Sequence, residues 1–494
     1  MKSNLLCMLP ARLGGWVAPL LLLWLWPAGP AAGQGPADTL ANPALSPVTF
    51  HQLVLRYHPV ARTADLQADL ARAEVVRARG AFDPVLSHSA GQKRFGGTDY
   101  YYYSRPEIKW PTWLGAELSA GFEYLSGQQT DPQQTLGQTH FLGIAVPLGR
   151  NLGMDKRRAA LQTARVLQQA SAAEKTEALN NLLLEAMNQY WDWVRLHQQC
   201  ALLTEAVRVS QRRLEYVRQT WSAGERAAID TSDALAQALS LQVQETEART
   251  QARNALLLLE TFAWQPSGLP LELPGSLVPD LSLPDGDGSA WTPPSLDSLL
   301  PAGLASHPVL QLADFKIRAL EIDKRLKFQE LLPSMTVRYN LLGKGYDLWK
   351  TVSRPMPEYA YRYGISVSIP LLFSEGRGAY RSASLKLAQA NLERQQKQAG
   401  LAAKIRSRHI ALVALGDQLR LHGEALRQYE ALQRAEEIRL RTGEGSLLLV
   451  NLRESRTLEA RQKWVDLQVK YRQAGTYLLW ASGRLVSGPD PWSD

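Results

Sequence analysis

Two proline-free stretches, residues 154–221 and 375–440, each read as one continuous helix, and they set the strongest limit on what this chain can fold into. At 1.5 Å per residue, a helix of roughly 65 residues reaches about 100 Å. No helix of that length is stable alone in water, so each needs partners along its whole length, in the same chain or in a symmetric oligomer. The apolar spacing fits helix-on-helix packing: Ile405, Leu412, Leu415, Leu419, Leu426 and Tyr429 step by sevens, threes and fours, as do Leu183, Met187, Tyr190 and Val194. A glycine turn cuts each run, at Ala223-Gly224-Glu225 and at Thr442-Gly443-Glu444-Gly445. Return helices are expected over 228–262 and 447–480.

The landmarks before the long runs also occur twice. His58-Pro59-Val60 recurs as His307-Pro308-Val309, and Pro84 and Pro333 stand at the same distance beyond the two histidines. Each copy then reaches a Pro-Leu end, Val146-Pro147-Leu148 or Ile369-Pro370-Leu371. The chain therefore reads as a first structural repeat over 34–264, a Pro/Gly-rich connector over 265–300 expected on the surface, a second repeat over 301–485, and a tail over 486–494.

Between the paired prolines the period changes to two. Tyr361, Tyr363, Ile365, Val367 and Ile369 alternate with Arg362, Gly364, Ser366 and Ser368. Met335, Val337, Tyr339 and Leu341 alternate with Ser334, Thr336, Arg338 and Asn340, and Ala116, Leu118, Ala120, Phe122 and Tyr124 with Glu117, Ser119, Gly121 and Glu123. His140–Val146 is a weaker fourth segment. Strands of about ten residues with unlike faces suit a β-barrel with lipid outside and water inside. Tyr100 to Tyr103, Trp110, Trp113, Tyr346, Trp349 and Tyr359 stand beside them, as interfacial aromatics do. A soluble sandwich is the alternative, but four two-faced strands do not close a stable sheet alone. Residues 85–110 have no counterpart in the second half and read as an extra hairpin or an extracellular loop. The expected class is an α+β membrane protein, with long coiled-coil helices joined to transmembrane strands.

The first 33 residues read as a secretory signal peptide: Lys2 and Arg12 precede an apolar run over 15–26, and Ala31 and Gly33 suit a cleavage site. That run is too short to span a bilayer as a helix, and no later segment reaches the roughly 18 apolar residues required. A membrane crossing must therefore use strands. Cys7 lies in this peptide, which leaves Cys200 without an intrachain partner. Cys200 is expected to be a packing residue, and no lipid anchor is expected near position 34. The 55 basic and 47 acidic residues are interspersed, so the net charge of +8 describes a solvated surface rather than a nucleic-acid footprint.

No catalytic arrangement is visible, and no metal site or cofactor is expected. The eight histidines are scattered, and Gly443-Glu444-Gly445 lacks the third glycine and the preceding strand of a dinucleotide loop. His58 and His307 open helices before proline and are expected to cap them.

Over residues 45 to 485, this order of His-Pro helix, strands, Pro-Leu, long helix, glycine turn and return helix, given twice, resembles the TolC family of outer-membrane efflux proteins. The resemblance implies a homotrimer in Gram-negative bacteria, each subunit giving four strands to a shared 12-stranded barrel in outer-membrane lipid and its helices to a periplasmic tunnel. It implies a tip at Gly224, Glu225, Gly443, Glu444 and Gly445 that docks on a periplasmic adaptor (a membrane fusion protein) bound to an inner-membrane transporter, in efflux or type I secretion. It also implies a gate. Asp230, six residues after Gly224, matches the aspartate that family members commonly place there, and Asp233 lies a turn further on. Counting likewise from Gly443 reaches Leu449 and Leu452, where many members carry acids, and Gly445 stands where some carry a basic residue. A ring of aspartates would favour cations, whereas a ring of leucines would close by excluding water; an acid at a helix N-terminus is the plainer role for Asp230. A periplasmic coiled-coil adaptor is the rival class, but adaptors usually hold one helical hairpin between β-rich domains, and here the hairpin is doubled.

Overall fold

A computed structural model describes residues 44–128, 130, 135–225, 227–280, 295–346, 360–442 and 444–486. The expected signal peptide, Cys7, Trp349, Tyr359, Gly443 and most of the tail lie outside the described residues. Ser46 starts α1 (Pro47–Tyr57), its Oγ accepting the Thr49 N–H at 3.1 Å. His58 ends α1 and caps α2 (Pro59–Arg79), with Nδ1 accepting the Val60 N–H at 3.2 Å. The same device recurs later: α5 (Leu296–Ser306) ends at His307, whose Nδ1 caps α6 (Pro308–Gln329) by accepting the Val309 N–H at 3.2 Å. Both histidines therefore cap helices, as the His-Pro pairs suggest, and the proline behind each loses no hydrogen bond at the first helical position. The connector expected to run to residue 300 gives way to helix at Leu296.

The proline-free runs are single helices, α3 (Lys156–Ser222, 67 residues) and α7 (Ser374–Arg441, 68 residues). Each returns through a shorter one, α4 (Ala228–Glu260) or α8 (Leu447–Ala481). Asp155 caps α3, its Oδ1 accepting the Arg158 N–H at 2.7 Å. Towards their N-terminal ends the long helices pack with α2 and α6. Val75 and Phe82 meet Leu161, Ile322 meets Met154 and Ala159, and Lys316 pairs with Glu393 at 2.7 Å. Beyond their midpoints the neighbours change. There α3 packs on α4 and α8, and α8 packs on α7, so α4 and α7 form the two edges of a four-helix layer. Among the described residues no helix is long and apolar enough to cross a membrane.

The core lies where the neighbours change. Phe50, Tyr190, Trp191 and Trp193 are almost fully buried, and the Tyr190 hydroxyl donates to the Leu45 carbonyl at 2.9 Å. Leu45 belongs to the two-residue strand β1 (Ala44–Leu45), which pairs in parallel with β6 (Val278–Pro279). Leu273 and Leu277, on the approach to β6, are buried too. The surface placement expected for the connector therefore fails over its first part, because its leucines fill the space beside α3 and tie the middle of the chain to its start. Cys200 is half-buried beside Leu203, Leu241 and Ala248.

The remaining strands make one antiparallel sheet in the order β2 (Val85–Phe95), β3 (Thr98–Pro111), β4 (Glu117–Ser126), β5 (Gly137–Gly149), β7 (Ser334–Lys344) and β8 (Tyr361–Ser368). Alternation alone picks out four of these six. Residues 85–110, open between hairpin and loop, form a hairpin, turned at Gly96 and Gly97 with φ of 58° and 78° that glycine adopts at no steric cost. Tyr100 to Tyr103 and Trp110 lie within β3 rather than beside a strand.

Candidate functional site

The sheet has two unlike faces, and the register shows how far each extends. Leu86, Ile108, Ala120, Leu142, Leu341 and Tyr361 stand side by side across all six strands. The next row of that face is Trp110, Leu118, Ile144, Tyr339 and Tyr363. Between the two runs a row of the other face: Val85, Lys109, Ser119, Gly143, Asn340 and Arg362. Because Cβ direction alternates along a strand, one face is apolar and the other carries Arg105, Glu107, Lys109, Glu117, Glu123, Arg338 and Arg362.

Burial follows much the same division. Along β5 the residues of the polar face, Thr139, Phe141 and Gly143, are buried; on the apolar face His140 is buried too, while Leu142 and Ile144 are exposed. Phe141 lies over Gly121, where an added Cβ would stand 2.8 Å from its ring. Lys109 pairs with Glu107 at 2.6 Å on that side. The charged face is therefore the more covered one over the middle strands and is taken as the concave side, while the apolar face, taken as the convex side, is largely turned outwards. Trp113 of the turn after β3 stacks on Phe82 with ring centroids 4.3 Å apart, and Tyr346 stands 5.4 Å from Phe122.

The two helical turns lie together at the other end of α3 and α7. Leu214, Val217, Ala234, Ala238 and Leu447 form one buried cluster, with Leu440 packed against it. At the first turn Gly224 has φ of 78° and the Glu225 N–H donates to the Thr220 carbonyl at 3.0 Å, closing the helix end. At the second, the N–H groups of Glu444 and Gly445 both donate to the Arg439 carbonyl, at 3.0 and 2.9 Å. A Cβ on Gly445 would stand 2.6 Å from the Leu440 backbone nitrogen, so this position admits no side chain without moving the turn.

Asp230 lies half-buried in the first turn of α4, where the helix dipole favours an acid, and Asp233 is exposed. On α8 Leu447 joins the cluster and Val450 is buried, while Leu449 and Leu452 are exposed at 42% and 49%. Asp233 and the two leucines thus lie on faces turned away from the seam between the hairpins. The sequence gives no sign of a further tip contact: Arg213 on α3 holds the Glu454 carboxylate of α8 with both terminal nitrogens and reaches Asn451 Oδ1 at 3.0 Å. The pair is largely buried, and burial pulls the Arg213 guanidinium below its ordinary value while Glu437 acts in the opposite direction. A partner 241 residues away leaves no local signal.

No protein-family model matches the chain, and no curated protein does. Solved structures do. The outer-membrane channel OprN has a TM-score of 0.61 at 16% identity, over 88% of this chain and 89% of that one. The Campylobacter jejuni CmeC outer membrane channel has 0.61 at 14%, over 89% and 85%. The outer membrane protein VceC from Vibrio cholerae has 0.62 at 16%, over 88% and 95%. At these identities the likeness establishes the fold. That fold is the TolC-type outer-membrane channel fold, seen over nearly the whole chain.

Proposed function

We propose that the chain is a subunit of an outer-membrane channel that passes solutes from the periplasm to the exterior, in a tripartite efflux or type I secretion system. The observation that carries this reading is the sheet. An apolar row crosses six strands on one face while the other face is charged, as lipid outside and water inside require. A soluble protein that exposed such a face would aggregate. The helical layer supports an assembly of copies, here taken as a homotrimer. Its edge helices leave Ile229, Val243 and Leu239 of α4 and Leu421, Leu432 and Ile438 of α7 exposed. Packed edge to edge, these layers would form a periplasmic tunnel in which long helices find the partners they need.

In this reading the turns at Gly224, Glu225, Gly443, Glu444 and Gly445 meet a periplasmic adaptor bound to an inner-membrane transporter. Asp230, Asp233, Leu449 and Leu452 line the narrow end. The chain is a conduit rather than an enzyme. An adaptor would not need the convex apolar face, so the sheet also argues against the rival class.

Planar-bilayer recording tests both the conduit and its neck. The parent should show discrete single-channel steps. Leu449→Ser with Leu452→Ser should raise conductance severalfold by wetting the constriction, and Asp230→Asn with Asp233→Asn should lower cation preference, less so at high salt where charges are screened. A membrane preparation that never conducts contradicts the conduit. A parent that conducts, with variants that behave like it, removes only these four residues from the neck.

A further inference from the structure

We infer that each copy contributes six strands to the shared wall, not four, with β2 of one copy pairing along β8 of the next; this rests on the channel-subunit reading above. Near the helices the hairpin of β2 and β3 has the same two faces as the rest of the sheet, and further along it His88, Gln92 and Ser104 interrupt the apolar one. Leu86, His88 and Ala90 stand opposite Ile108, Pro106 and Ser104 on the convex side, where Ile108 and Trp110 continue the rows of Ala120 and Leu118. On the concave side β3 carries Arg105, Glu107 and Lys109. A loop held above the membrane in water gains nothing from an apolar row in register with the wall. Leu86, 73% exposed in a single copy, would gain from lipid.

Strand lengths agree. β2 and β3 have 11 and 14 residues against 10 and 13 for β4 and β5. β3 also returns to the helices, because its last residues lead into the turn where Trp113 stacks on Phe82, immediately before β2. The hairpin therefore runs away from the helices and back to them, as β4 and β5 do.

Among the described residues, β2 and β8 are the two ends of the sheet, and both are exposed along nearly their whole length. Unpaired backbone groups cannot remain so in hydrocarbon. A second copy of this chain fits both edges at once. Six alternating strands end on one that runs opposite to the first, so β8 of one copy meets β2 of the next antiparallel, and each apolar face continues into its neighbour's. Three copies set eighteen strands round the axis in place of twelve. Since barrel diameter grows roughly linearly with strand number, the lumen is about half again as wide as four strands per copy would give.

Disulfide trapping in outer membranes tests this. In a Cys200→Ser background, Ser87→Cys or Ser89→Cys on β2 is combined with Gly364→Cys or Ser366→Cys on β8, all on the concave face, and an added Cβ at Gly364 meets open space. Oxidation should convert most of the protein to covalent dimers and trimers for at least one combination. A second set places the first cysteine on β4, as Ser119→Cys or Glu123→Cys, and should give no link between copies. Links from β4 to β8 without links from β2 would show a four-strand wall with the hairpin outside it. A β2–β8 link within one chain, or none in an assembled oligomer, overturns the pairing as well. A protein that is monomeric before oxidation instead sinks the channel-subunit reading on which the inference stands.

Discussion

His307 shows how much one residue can carry. It ends α5, caps α6 through Nδ1 and lines a cavity with Glu177, Lys397, Lys404 and Trp480. Burial, helped by Lys404, lowers its pKa from 6.5 to about 4. The unfolded chain therefore binds a proton between these values that the folded chain refuses, so the contribution is full above about pH 6.5 and is lost as pH falls towards 4. The expected loss is at most about 1.4 kcal/mol per pH unit. His307→Asn keeps a capping side chain and removes the titration. Thermal unfolding in detergent at pH 7 and pH 5 should show a smaller drop for the variant than for the parent, and equal drops would contradict the assignment. Residues of this kind are legible in sequence because their work is local: a polar side chain before proline caps, and a glycine after a long helix turns it. Gly445 is legible only as a turn glycine, since its closeness to Leu440 is a property of the folded backbone. Arg213 and Glu454 are not legible at all, because neither has a partner within its own helix.

Elements were legible where one pattern ran unbroken. The long helices show as the absence of proline, and β4, β7 and β8 as clean alternation. β2 and β3 break that pattern: four consecutive tyrosines fill both faces of β3, and a register shift between Lys93 and Arg94 moves the alternation by one residue. Seams between helices differ in kind as well. Within the first hairpin, Leu203 meets Leu241. Between the hairpins, α3 and α8 add polar rungs to apolar contacts such as Leu447 with Leu214 and Val217: Asn180 donates to the Trp480 carbonyl at 3.0 Å and Gln199 to Asp466 at 2.9 Å, with Arg213 and Glu454 nearest the tip. The faces of the sheet make the sharpest prediction at this scale. Ile365, 62% exposed, lies on the apolar face and Ser366 beside it on the other. Ile365→Lys should cost about 2–4 kcal/mol if the residue lies near mid-bilayer, whereas Ser366→Lys should be nearly neutral. Refolding yield into lipid vesicles measures both, and equal yields would remove the lipid from the apolar face.

At the scale of the whole molecule, two layers end in unfinished edges. The sheet stops at β2 and β8, and the helical layer at α4 and α7, where the exposed apolar side chains collect. Neither layer is complete in one copy, because the backbone edges need hydrogen bonds in lipid and the long helices need neighbours in water. The same rotation that brings β8 to β2 could bring α7 to α4, so one symmetric assembly would satisfy both. This level was the least legible in the residues themselves, since edges appear only once the order of strands and helices is known. The mass of the protein extracted from outer membranes, corrected for bound detergent, tests the account most directly. Three copies of the mature chain in one particle is the result it predicts, and a stable monomer, or a protein that leaves the membrane without detergent, is the result that contradicts it.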